Sequence, residues 1–124
     1  ANVLNHMITK IDEHNSSRRR VAEIYNKELN IDTMVHTADW CYNVYNQYSV
    51  LVNDRKKIIN KLKDKNIQTG VMWPIGCHVQ PAYQSKIILQ HTNYVTEKVL
   101  SLPCWPYMTD DEVGYVIDAF NKII

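Results

Sequence analysis

Residues 109–124 read TDDEVGYVIDAFNKII. Thr109 followed three residues later by Glu112 is a capping box, in which hydroxyl and carboxylate each satisfy a backbone N–H left free at a helix start. Asp110, Asp111 and Glu112 place negative charge at the positive end of the helix dipole. Behind the cap, Val113, Val116, Ile117, Phe120 and Ile124 form one apolar stripe. A one-sided helix must bury that stripe against another layer, so earlier segments have to supply the rest of a core.

Those segments read as both helix and strand. Residues 4–29 carry Leu4, Met7, Ile8, Ile11, Val21, Ile24 and Tyr25 at helical spacing. Their polar middle, His14-Asn15-Ser16-Ser17, is either a fully exposed stretch or a break between two helices. Arg18-Arg19-Arg20 reads as a solvated face with one buried stem. Asn30-Ile31-Asp32-Thr33 supplies turn residues. Residues 40–52, WCYNVYNQYSVLV, are rich in β-branched and aromatic side chains and predict one long strand or two short ones.

Asn53-Asp54 is the expected cap of a helix with Ile58, Ile59 and Leu62 on one face and Arg55 among the lysines on the other. Asn66 suits the left-handed residue closing it. A short strand over 67–73 ends at Pro74, a short helix is expected near 96–100, and two prolines hold 102–106 extended. The order predicts an α+β fold, a small, mostly antiparallel sheet with helices packed on one face, as a single domain over residues 1–124.

The composition removes several functions. A formal net charge of +1 offers no field for nucleic acid or an anionic membrane, and no apolar run approaches the roughly 20 residues that span a bilayer. Cys41, Cys77 and Cys104 are an odd, widely spaced set, which points to a reduced, cytoplasmic setting. Cys77-His78 is a single adjacent pair, too little for a zinc site and poorly disposed for proton transfer between neighbours. Tyr42, Tyr45 and Tyr48 recur every three residues with no Arg or Lys between residues 28 and 54, which favours core packing over base stacking.

The stretch VMWPIGCHVQPAY, residues 71–83, is too irregular for a helix. Trp73, His78, Gln80 and Tyr83 combine flat apolar surface with hydrogen-bonding groups, a recipe for holding a polar ring such as a sugar. The opposing expectation is a folded connection, with Trp73 plugging the core and Pro81-Ala82-Tyr83 starting a helix.

Four stretches, in order along nearly the whole chain, carry a resemblance: RRRVAEIYNKEL (18–29), NVYNQYSVLVNDR (43–55), NIQTGVMWPIGCHVQPAY (66–83) and LSLPCWPYMTDDEV (100–113). Together they resemble the C-terminal small domain of the DegT/DnrJ/StrS-type sugar aminotransferases, fold-type I pyridoxal-phosphate enzymes. Departures are Met72-Trp73-Pro74 for the family's His-Tyr-Pro, Gly76-Cys77-His78 for Pro-Leu-His, and Asn66 for a glycine.

The resemblance implies transfer of an amino group, with glutamate as donor, to a nucleotide-linked keto sugar in polysaccharide or antibiotic-sugar biosynthesis. It implies pyridoxal phosphate bound in an N-terminal large domain that this stretch does not contain, and a homodimer in the full-length form. The chain reads as a piece of something longer, with no cofactor expected for this fragment alone and no catalytic residue or metal of its own. On this reading Trp73 is a ring face, His78 and Gln80 hydrogen-bond the sugar, and Tyr83, Asn43 and Tyr45 are further substrate-binding candidates. The rival is a stand-alone binding or regulatory module of the same fold.

Overall fold

The computed structural model describes residues 2–31, 38, 40–83 and 85–124. Its described elements are helices α1 (Asn2–Ile8) and α2 (Ile11–Glu28), strand β1 (Tyr48–Leu51), helix α3 (Arg55–Lys63), a 3₁₀ turn (Cys77–Val79), helix α4 (Gln90–Lys98), strand β2 (Val99–Leu102) and helix α5 (Asp110–Asn121). β1 and β2 pair antiparallel, Tyr48 opposite Leu102 and Val50 opposite Leu100. Successive strand residues alternate faces, so these four side chains share one face. Val21 and Tyr25 of α2, Ile58 and Leu62 of α3, and Val113, Val116 and Phe120 of α5 pack on it as one buried cluster. The architecture is α+β, as the sequence predicts.

The break between the first two helices falls at Thr9–Lys10, not at the polar middle. The Thr9 hydroxyl donates to His6 O at 2.8 Å and Lys10 N to Met7 O at 3.0 Å, which closes α1 with a tight turn. The polar middle stays helical because its side chains have partners far along the chain. His14 is buried, its Nε2 2.6 Å from the Tyr107 hydroxyl with the rings edge to face. Ser17 donates to Pro106 O, and Arg20 to Met108 O and the Asp110 carboxylate. Tyr25 adds a bond to Pro103 O at 2.8 Å. α2 therefore straps the turn that leads into α5.

Only residues 48–51 of the expected 40–52 strand are strand. Asn43 Oδ1 accepts from Tyr45 N at 3.0 Å and Tyr45 turns left-handed at φ 46°, a local bond that competes with a ladder. Arg19 takes Asn43 O at 2.9 Å. Of the turn expected at 30–33, Asp32 and Thr33 lie outside the described residues. The short helix expected near 96–100 is α4, displaced toward the N-terminus, because Val99 and Leu100 are drawn into β2.

At α3, Ile58 and Leu62 are buried as expected, but Asp54 sits at φ 52° with no side-chain cap bond. Arg55 is not on the solvent face: its guanidinium donates to Thr96 O and Val99 O. Asn66 does close α3 left-handed, at φ 58°, with Ile67 N reaching back to Leu62 O.

The third strand expected over 67–73 shrinks to one bridge, Gly70 with Ser101, through N–H···O bonds of 2.9 and 2.8 Å. Hydrogen-bond parity explains why. The next pairing partners of this edge on β2's side are Pro103, which has no N–H and whose carbonyl is taken by Tyr25, and Val99, whose carbonyl is taken by Arg55. The ladder cannot extend in either direction. At the C-terminus the capping box forms in full: Glu112 N donates to Thr109 Oγ1 at 3.2 Å and Thr109 N to Glu112 Oε2 at 2.8 Å. Val113, Val116, Ile117 and Phe120 are buried and Ile124 is exposed. Among the described residues no helix is long and apolar enough to cross a membrane.

Candidate functional site

The segment from 71 to 83 leaves the sheet edge at Gly70 and folds back on itself. Val79 N donates to Gly76 O at 3.1 Å and Gln80 N to Cys77 O at 3.2 Å, forming the single 3₁₀ turn. Pro81, with its fixed φ, occupies the second position of a tight turn in which Tyr83 N donates to Gln80 O at 2.9 Å. No helix starts there. Ser85 N then donates to His78 O at 3.0 Å and closes the loop.

Trp73 does not plug the core: 59% of it is exposed, as is 70% of Tyr83. Met72, Ile75 and Val79 are exposed beside them. Gln80 is half-buried and Cys77 exposed. The underside of the loop rests on α4, where a cleft of about 420 Å³ is lined by Trp73, Ile75, Cys77, His91 and Val95 among others. His91 escaped the sequence reading because nothing in its neighbourhood, LQHTNY, marks it.

His78 is the most unusual member. Its imidazole lies against Gly76: a Cβ added there would stand 2.6 and 2.7 Å from His78 Cε1 and Nδ1, and 3.0 Å from Thr92 Cγ2. Only a glycine leaves room for the ring in this position. His78 Nε2 is buried and meets no hydrogen-bond partner among the described residues. A buried ring nitrogen without a partner is costly, and such groups are concentrated where a ligand or proton is handled.

Asn43 and Tyr45 belong to a second group on a different support. They form the turn before β1, pinned by Arg19, whose guanidinium also lies 4.2 Å from the centre of the Tyr42 ring. Tyr45 packs partly into the core, 6.1 Å from the Tyr48 ring, which in turn sits 4.9 Å from Tyr25. Burial pushes the Tyr25 and Tyr48 phenols well above the usual tyrosine range, so both remain neutral donors. Burial likewise pushes the Cys104 thiol up to about 11, against the opposing pull of Arg18. Cys104 is a half-buried thiol that keeps its proton near neutral pH.

The described residues contain no cluster of three or more His, Cys, Asp or Glu able to hold a metal ion. A larger cleft, about 890 Å³, lies between residues 65–70, the 101–105 segment and the first turns of α5, and it is lined by none of the candidate residues Trp73, His78, Gln80, Tyr83, Asn43 and Tyr45. Two of its polar groups are committed: Glu112 caps α5 and Tyr115 donates to Lys65 O at 3.0 Å. Size alone does not make it the site.

A family model described as the DegT/DnrJ/EryC1/StrS aminotransferase family matches residues 1–121. The chain belongs to that family. Among its relatives, dTDP-3-amino-3,6-dideoxy-alpha-D-galactopyranose transaminase of Aneurinibacillus thermoaerophilus is 28% identical over 98% of this chain and 35% of its own length. UDP-N-acetyl-3-dehydro-alpha-D-glucosamine 3-aminotransferase of Acidithiobacillus ferrooxidans is 25% identical over 90% of this chain and 31% of its own. In fold, DesV of S. venezuelae, solved with a ketimine intermediate, superposes with a TM-score of 0.85 at 25% identity over 97% of this chain and 34% of that one. The aminotransferase TlmJ of Streptoalloteichus hindustanus gives 0.87 at 22% identity over 95% of this chain. The chain thus spans about a third of the length of the relatives it matches. Those relatives are nucleotide-sugar aminotransferases, and the chain is a sugar-aminotransferase-family domain.

Proposed function

We propose that this chain is the sugar-contacting small domain of an aminotransferase that uses pyridoxal phosphate to move an amino group from glutamate to a nucleotide-linked keto sugar. One observation carries the reading: the 71–83 loop exposes the Trp73 and Tyr83 rings, with His78 Nε2 meeting no partner among the described residues, in a chain whose relatives are nucleotide-sugar aminotransferases. An indole face stacks on the apolar C–H face of a pyranose, the Gln80 amide supplies hydrogen bonds to its hydroxyls, and the His78 ring would add one on turning out of its buried seat. Asn43 and Tyr45 are the second, less exposed set of candidate contacts.

The residues of this chain do not fit the cofactor itself. A Schiff-base lysine needs a buried or electropositive setting that lowers its pKa. Nine of the ten lysines are exposed, and the half-buried Lys98 donates to Asn53 Oδ1 at 2.7 Å. We assign cofactor binding to the portion that the longer relatives have in addition, and no proton-transfer role to this chain. The stripe Val3, Leu4, Met7, Ile8 of α1, exposed throughout, suits burial against that portion. A homodimer and a reducing, cytoplasmic setting, in keeping with three free cysteines, complete the reading.

Hydroxyl-radical footprinting of the complete enzyme tests it. Adding a dTDP- or UDP-linked sugar should protect Trp73 and Tyr83 several-fold while Trp105 keeps its oxidation rate. Equal rates at Trp73 and Tyr83 with and without nucleotide sugar would remove the loop from the site.

A further inference from the structure

The loop's own backbone bonds are local, its underside rests on α4, and α4 is tied at its far end. Thr92, in the first half of α4, packs beside Gly76 and the His78 ring, its Cγ2 3.0 Å from where a Gly76 Cβ would stand, and Trp73, Gly76 and Cys77 share a cleft with His91, Thr92 and Val95. At the other end of α4 the last carbonyls point toward α3. Arg55 donates from one guanidinium nitrogen to both Thr96 O and Val99 O. Lys98 Nζ donates to Asn53 Oδ1 at 2.7 Å, and Val52 N to Lys98 O at 3.0 Å. A cation on the C-terminal carbonyls of a helix satisfies orphan acceptors and complements the negative end of its dipole.

We infer that Arg55 is a positioning residue for the 71–83 loop: it fixes the C-terminal end of α4, and α4 in turn sets where Trp73 and His78 stand. The inference rests on reading that loop as the sugar-contacting segment, but the placement it describes is independent of any ligand. The hydrogen bonds of Arg55 go to neither Trp73 nor His78, and it is the first residue of α3, so sequence pattern alone assigns it to a solvent face. Its role comes from two carbonyls about forty residues downstream, at sequence separations of 41 and 44. Four buried or half-buried groups thereby form one chain of support: Arg55, Thr96, Thr92 and Gly76.

Amide hydrogen exchange on the complete enzyme, read at the peptides of this chain, tests the placement. In Arg55→Met the stem is kept and both charged hydrogen bonds are lost, so amides of 76–80 and 93–98 should exchange about tenfold faster. Amides of α5, remote from the tie, should be unchanged. Arg55→Lys, whose ammonium still reaches a carbonyl, should restore most of the protection. Lys98→Met, which removes the weaker exposed tie without touching the core, should give about a twofold rise confined to the same segments. Unchanged exchange at 76–80 in Arg55→Met would overturn the inference, as would a uniform rise that includes α5. If Arg55→Met fails to fold, Lys98→Met decides alone, and no rise at 76–80 overturns it. Failure here leaves the sugar reading standing, whereas unprotected Trp73 and Tyr83 in the footprinting experiment would remove the sugar reading and leave this tie intact.

Discussion

The strap between α2 and residues 103–110 and the loop of residues 71–83 are built in opposite ways. In the strap, His14, Ser17, Arg20 and Tyr25 reach partners 78 to 93 residues away, and a capping box closes the start of α5. In the loop the backbone bonds are local, the rings of Trp73 and Tyr83 face outward and His78 Nε2 has no described partner. One region commits its polar groups to holding the fold; the other turns its aromatic rings to the surface over a buried histidine nitrogen with no described partner. Conserving stability and offering contacts are assigned to different segments, and variants should separate them.

The largest effect on the strap side should come from Phe120→Ala, which empties a fully buried site at the centre of the cluster. A loss of about 3–5 kcal/mol is expected in urea denaturation. A loss under 1 kcal/mol would mean that α5 is not the keystone of the core. Next, Tyr25→Phe removes one hydroxyl and leaves Pro103 O without its donor, for about 1–3 kcal/mol. Thr109→Ala breaks the capping box and should cost about 1 kcal/mol. On the loop side, Trp73→Ala should stay within about 0.5 kcal/mol of the parent, since its ring is already exposed. A loop variant as destabilising as Tyr25→Phe would erase the contrast.

Titration sharpens the same contrast. Cys104 in the folded chain holds its proton up to about 11, above the ordinary thiol value of 9.0. A raised folded pKa means that the folded state binds the proton more tightly than the unfolded one. This contribution is complete below about pH 9 and is lost as pH rises toward 11. Alkylation with iodoacetamide at pH 8, followed by peptide mass, should therefore label the exposed Cys41 and Cys77 well before Cys104. Equal labelling would show that the strap opens as readily as the surface.

How much of this was legible in the sequence also differs between the two regions. The capping box, the α5 stripe and the left-handed Asn66 are local patterns, and each stands where the residues predict it except Ile124, which lies past the end of α5 and is exposed. The strap was hidden because periodicity weighs apolar residues, whereas here polar ones do the packing: His14 and Ser17 look like an exposed middle until Tyr107 and Pro106 arrive from the other end of the chain. The 40–47 segment misleads for a related reason, since the aromatic, β-branched composition of a strand is overridden by Arg19 on Asn43 O and by the left-handed Tyr45. Arg55 reads as a surface charge for want of any local sign of the carbonyls it meets. Within the candidate site, the loop's residue types were readable, but the seat of the His78 ring on Gly76 and the presence of His91 depend on α4, whose single buried residue, Thr96, leaves no stripe to read.

The account stands on the loop as a sugar contact that takes no part in cofactor chemistry. Half-reaction kinetics of Trp73→Ala in the complete enzyme, followed by cofactor absorbance, measure this directly. The expected result is at least a tenfold weaker apparent affinity for the nucleotide sugar, with the glutamate half-reaction within about twofold of the parent, since one buried aromatic contact is worth about 1.5–3 kcal/mol. Equal loss in both half-reactions, or no loss in either, would contradict it.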